Sequence, residues 1–191
     1  MKKMFLTLAL VAVAATSAMA QIGAGLGYQS KTWSDGDKTG DVNVAGIYVG
    51  ATYNYALTDA LSVAPGLVLN YLSGDESGVK ISEMNLGLPI LVNYAIPVAE
   101  GFTLLPFAGP TISFGLSNKY DFGGGLSIDG YAKDGLALNR FDVLVGGGVA
   151  LDVMEVIRVS VGYNKGLLNR DKDADPAVTT SGLHFGVAYL F

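Results

Sequence analysis

Few residues in this chain could do chemistry. There is one histidine, His184, and no cysteine, which excludes disulfides, thiolate metal sites and cysteine nucleophiles. A lone imidazole can act as a general base only with a nucleophile in hydrogen-bond reach and an acid to orient it. No G-x-S-x-G elbow accompanies His184, so catalysis is not expected. Glu83, Arg140, Asp142, Arg158 and His184 share one face of segments whose side chains alternate in character. Opposite charges on such a face could build a polar gate or a proton-sensitive plug. A structural ion-pair network is the stronger expectation, because an enclosed charge needs a partner.

Two further stretches carry alternating carboxylates, Asp35, Asp37 and Asp41 in one and Asp171, Asp173 and Asp175 in the other. The first has Gly40 as its sixth residue, as a calcium loop would, but its twelfth is Gly46 where a bidentate Glu is required. A solvated acidic rim without metal is expected. The runs Gly123-Gly124-Gly125 and Gly146-Gly147-Gly148 lack the Lys-Ser/Thr of a phosphate loop. No cofactor is expected.

The elements that hold these residues follow from composition and periodicity. Of 191 residues 50% are apolar and 15% charged, with 26 Gly and a mean hydropathy of +0.40. Soluble domains carry about 25% charged residues, and disordered chains are polar, so neither description fits. A formal charge of -5 without a basic patch argues against nucleic acid as a partner. Lys2 and Lys3, the apolar stretch from Met4 to Ala14, and Ala18-Met19-Ala20 match a secretory signal peptide with an A-x-A cleavage site. The chain thus divides into a signal peptide, residues 1–20, and a mature domain, residues 21–191. Cleavage leaves 10 basic against 17 acidic residues, a mildly acidic exported protein.

The mature part alternates with a period of two, the signature of strands. Ile47, Val49, Ala51, Tyr53 and Tyr55 take odd positions, while Gly46, Tyr48, Gly50, Thr52 and Asn54 face the other way. The same alternation runs through 61–71, 84–94, 102–114, 141–151, 157–163 and 183–191, and more weakly through 21–29. These eight segments are close to the 9 to 11 residues of a tilted transmembrane strand. Short turns near 58–59, 97–100 and 152–155 alternate with longer polar loops at 31–41, 73–80, 118–137 and 166–181. Short periplasmic turns opposite long external loops are the anatomy of an outer-membrane barrel.

Charge decides which face meets lipid. The strand charges lie on the Gly/Asn/Ser face, leaving the middle of the apolar face uncharged, and a cation there would cost about 2 to 4 kcal/mol. On that apolar face Tyr53, Tyr55, Tyr94, Phe102 and Tyr189 gather toward one rim, with Tyr71, Phe114, Phe141 and Tyr163 toward the other. Interfacial aromatic girdles have this distribution. An open edge in hydrocarbon would strand backbone donors and acceptors, so the first strand should pair with the last. The final octet, from His184 through Gly186 and Tyr189 to Phe191, resembles the β-signal read by the outer-membrane assembly machinery.

Leu86-Gly87-Leu88-Pro89-Ile90-Leu91-Val92-Asn93-Tyr94, Phe107-Ala108-Gly109-Pro110, Arg140-Phe141-Asp142, Gly146-Gly147-Gly148 and Tyr163-Asn164-Lys165-Gly166-Leu167 together resemble the PorT-type outer-membrane β-barrel family of Bacteroidota. The resemblance spans most of the mature chain and implies an outer-membrane barrel. The secretion role behind the family's name needs partners that these motifs do not supply.

The fold expected is all-β: an eight-stranded antiparallel up-and-down transmembrane barrel after a signal peptide. Its function is expected to be non-enzymatic, a structural, interaction or surface-loop role. A narrow porin-like channel is the first alternative and a soluble periplasmic lipid-binding barrel the second. Expected partners are outer-membrane lipid and lipopolysaccharide, the assembly machinery through the last strand, and a protein engaged by the external loops.

Overall fold

The computed structural model describes residues 20–35, 41–171 and 174–191. Residues 1–19 of the expected signal peptide lie outside them, as do Asp37, Gly40 and Asp173 of the acidic loops. Ten strands form one sheet: β1 (Ala20–Ser34), β2 (Val42–Ala56), β3 (Leu61–Glu76), β4 (Val79–Tyr94), β5 (Ile96–Ala99), β6 (Phe102–Asp121), β7 (Ser127–Asp129), β8 (Phe141–Val153), β9 (Ile157–Gly166) and β10 (Thr179–Leu190). Eight of them close a barrel in the order β4-β3-β2-β1-β10-β9-β8-β6, with β6 returning to β4. Every pairing is antiparallel, and β1 pairs with β10 from Gly23↔Leu190 to Ser34↔Thr179. No helix occurs among the described residues.

Side-chain alternation turns the barrel inside out relative to a soluble lipid binder. Leu26, Val49, Leu67, Leu69, Val159 and Val187 are exposed on the outer face, while Asn70, Glu83, Asn85, Asn93 and Asp142 are buried. The interior is polar and the exterior is greasy, which suits hydrocarbon outside.

The strands are longer than the sequence periodicity suggests, and the excess lies at the loop end. β1 continues to Ser34, so Lys31 and Trp33 belong to a strand rather than to a loop starting at 31. The expected loop at 73–80 is a two-residue turn, because β3 runs to Glu76 and β4 starts at Val79. Ser77 and Gly78 both have positive φ, 53° and 83°, the type I′ geometry whose twist matches a hairpin. β6 runs to Asp121 and pairs with β7 inside the connection to β8. At the other end, β5 extends the 97–100 turn into a short hairpin with β6.

A single register shift interrupts the pairing of β4 with β6. Met84 pairs with Ser117 and Asn85 with Gly115, which leaves Leu116 as the extra residue of a β-bulge. The bulge changes the parity of β6, so Ser113 and Gly115 below it and Asn118 above it are all buried. Tyr120 is carried inward with Asn118 and packs against the buried Trp33 cluster.

Candidate functional site: a capped lumen

The loop end of the lumen is closed in two layers. Trp33, Val44, Leu72 and Ile81 form an apolar cluster, with Leu72 at 0% exposure, and Val42, Tyr120 and Val178 pack against it. Beside it lies an ion triad. Oε1 of Glu83, a residue 1% exposed, accepts from Lys31 Nζ at 2.7 Å, from Arg170 Nη2 at 3.3 Å and from Asn85 Nδ2 at 3.4 Å. All three donors converge on one oxygen, which gives the enclosed carboxylate its counter-charges, while Oε2 has no hydrogen-bond partner among the described residues.

Arg170 comes from the β9–β10 loop and is 3% exposed. Its guanidinium sits 5.6 Å from the Trp33 ring and 6.0 Å from the Tyr131 ring, and Nη2 donates to Tyr131 Oη at 3.4 Å. Burial pulls the guanidinium downward in pKa, but the Glu83 carboxylate, Tyr131 and Asp142 together outweigh it and hold Arg170 above its ordinary value. Burial likewise pushes the Tyr131 phenol up.

Both long loops are tied to this cap. The amide of Arg170 donates to the Val178 carbonyl at 2.8 Å, and its carbonyl accepts from the Asn139 amide at 2.8 Å. Asp142, 2% exposed, accepts from Thr180 Oγ1 at 3.0 Å and from the Leu168 amide at 3.3 Å, anchoring the β9–β10 loop to the barrel wall.

The five charged or titratable residues expected to form one network therefore separate. Glu83 and Asp142 lie at the loop end. Arg158 lies at the opposite end, held by both oxygens of Asp152 at 2.6 and 2.8 Å from the facing position on β8. His184 lines the lumen wall between them, where its Nδ1 meets Asn164 Nδ2 at 3.4 Å and no carboxylate. Arg140 is a correction: it is exposed and precedes β8, so strand parity does not reach it. Its Nη1 instead donates to the carbonyls of Gly115 and of the bulge residue Leu116 at 3.2 and 3.3 Å, and its guanidinium lies 4.5 Å from the Tyr131 ring. Lys31 and Arg170 take the place assigned to it. Lys31 shares the odd inward parity of Gly27 and Gln29, a signal that a longer β1 would have exposed. Arg170 sits in an aperiodic loop and carries no such signal.

Between the charged ends the lumen is lined with amides. Asn70 Nδ2 donates to Asn85 Oδ1 at 2.8 Å, and Asn93 Nδ2 donates to Asn54 Oδ1 at 3.0 Å and Ser62 Oγ at 3.2 Å. Large side chains take the space a Cβ would need at glycines: Tyr48 at Gly27 and Gly186, Phe107 at Gly148, and His184 at Gly162. A cavity of about 210 Å³ remains, bordered by Asn70, Asn85, Ser113, Tyr48 and His184.

On the outer face Tyr55, Tyr71, Tyr94, Phe102, Phe114, Phe141, Tyr163 and Tyr189 are exposed and Tyr53 is half-buried. Phe114 and Phe141 are cross-strand partners at the loop-side rim. Phe102 and Phe114 on β6 are twelve residues apart, about 30 Å along the axis at the usual tilt of about 40°, so their rings bracket a hydrocarbon layer of about 25 Å. In the final octet His184 and Gly186 face inward, while Tyr189 and Phe191 face outward with their rings 4.8 Å apart.

The fold and its inverted polarity agree with comparison to known proteins. No curated protein matches the sequence at a significant level. Among solved structures, Ail, the attachment invasion locus protein of Yersinia pestis, superposes with a TM-score of 0.56 at 13% identity, over 91% of this chain and 99% of Ail. Neisserial surface protein A superposes with a TM-score of 0.56 at 15% identity, over 89% of this chain and 96% of that one. The outer membrane enzyme PagL superposes with a TM-score of 0.51 at 10% identity, over 88% of this chain and 97% of PagL. At these identities the likeness is one of fold. The family model described as "Outer membrane protein beta-barrel domain" matches residues 4–191, and the chain, a small barrel of the bacterial outer membrane, belongs to that family.

Proposed function

We propose that this barrel is a non-enzymatic surface protein whose lumen is closed and whose loop end is the interacting part. The observation that carries the reading is the cap, in which Glu83 binds Lys31 and Arg170 beside the fully buried Leu72. An eight-stranded barrel has an interior just wide enough for side chains to fill, and here apolar and ionic side chains fill its loop end. The membrane lipid and lipopolysaccharide contact the outer face, and the loops meet a protein or ligand outside. The amide rather than carboxylate partner of His184 supports a non-catalytic role. Within the family, the Pro-containing, Gly-Pro and Tyr-x-x-Gly-Leu strand motifs favour the PorT-type group, exported through a leader cleaved after Ala20 and assembled through its last strand.

Planar-bilayer recording tests the closed lumen. Purified barrel is expected to give no steady conductance. A stable ohmic conductance in the unaltered protein would overturn the reading and favour the narrow channel, for which the amide-lined cavity is the supporting observation.

A further inference from the structure

A second cavity of about 210 Å³ lies outside the membrane, above the cap, among the loop-side ends of β1, β2 and β6 and the β6–β8 and β9–β10 connections. Val42, Leu136, Leu138 and Val178 supply its apolar wall together with the rings of Trp33 and Tyr120, whose centroids are 6.4 Å apart. Its polar rim holds Asp35, Asp171 and Arg170. Two of the buried residues bordering it carry donors without a partner among the described residues, Trp33 Nε1 and Arg170 Nε. A buried donor left unmade costs about 1 to 3 kcal/mol, so a group that satisfies both stabilises the pair.

The lining restricts what that group can be. Two carboxylates disfavour an anion, and the two N–H donors call for an acceptor oxygen, which a bare cation does not supply. An uncharged ligand with hydroxyls for the carboxylates, an oxygen acceptor for the two donors and an apolar patch for the aliphatic wall satisfies every surface. We infer that the cavity binds an uncharged saccharide, an N-acetylated amino sugar fitting best because its acetamido carbonyl accepts while its methyl group meets the aliphatic wall. The inference rests on the loop end being the interacting part of the barrel, and it fails separately from the closed lumen, which conductance alone tests.

The single tryptophan of the chain, Trp33, is a built-in reporter of this cavity. The barrel, held in a zwitterionic detergent free of sugar headgroups, is titrated with N,N′-diacetylchitobiose and with a sulfated heparin-type disaccharide while its tryptophan emission is followed. A saturable change with the first and none with the second is expected. The double substitution Leu136→Phe/Leu138→Phe fills the cavity and should abolish the change. Asp171→Ala should raise the half-saturating concentration about tenfold, the loss of one charge-assisted hydrogen bond. Circular dichroism establishes that each variant is folded, and a variant that fails this check is replaced by Leu136→Phe alone. No saturable change in the unaltered protein, an equal change with the sulfated disaccharide, or a change that survives in a folded, filled variant would overturn the assignment.

Discussion

Lys31 on β1 places its Nζ 2.7 Å from Oε1 of Glu83 on β4, although two strands lie between them in the barrel wall. The bond crosses the lumen, and Arg170 reaches the same oxygen from above. Substituting Glu83→Gln leaves two buried cations without a counter-charge. It should cost about 3 to 5 kcal/mol in denaturant unfolding of the detergent-held barrel. Lys31→Met together with Glu83→Leu should cost less than Glu83→Gln alone, because only Arg170, and not both cations, is then left without the carboxylate.

The lumen wall is packed through missing side chains. A Cβ at Gly186 would meet the Tyr48 hydroxyl, and the next nearest atoms are Tyr48 Cζ at 3.1 Å and Ser160 Oγ at 3.3 Å. Gly186→Ala should therefore destabilise by about 1 to 3 kcal/mol. Adding Tyr48→Phe removes the colliding atom and should recover most of that loss in the same unfolding measurement.

Polarity of the two faces makes opposite demands on a new charge. Val159 and Val187 are cross-strand partners exposed on the outer face between the rim aromatics Tyr163 and Tyr189. Val159→Arg should cost about 2 to 4 kcal/mol in lipid vesicles. The cost should fall in a thin detergent micelle, where the guanidinium reaches water; an equal cost in both would contradict a hydrocarbon-facing position.

Assembly and stability should separate at the last residue. Phe191 is 73% exposed, and its amide donates to the Ile22 carbonyl at 2.8 Å through the backbone alone. Phe191→Ala is expected to leave the unfolding free energy of refolded protein within about 1 kcal/mol. In cells the same variant should accumulate less folded barrel in the outer membrane, read by fractionation and immunoblotting.

The barrel is legible in the sequence because lipid and lumen impose a strict two-residue alternation wherever a strand is inside the membrane. Ile47 to Tyr55 and Met84 to Tyr94 announce themselves in this way. Above the membrane the outer face meets water, apolar and polar residues can both sit there, and the alternation fades. For this reason the continuation of β1 through Lys31 and Trp33 reads as a loop, and so does the paired extension of β3 and β4 around Ser77 and Gly78. The candidate site is legible only where its residues sit inside regular strands. Parity finds Glu83 and Asp142; it misplaces Arg140, because β8 begins only at the next residue; and it is blind to Arg170, because a loop residue's direction depends on the Asn139, Asn169 and Val178 bonds that fold the loop back.

Pairing of β1 with β10 has a temporal meaning. The free edge of β1 acquires its hydrogen-bonding neighbour only when the final twelve-residue strand arrives, so no shorter nascent piece could sit in hydrocarbon without exposing backbone polar groups. Insertion is thus a concerted event joining the most sequence-distant parts of the polypeptide. High contact order slows it, and the chain has to be kept from aggregating in the periplasm until its whole length is at hand.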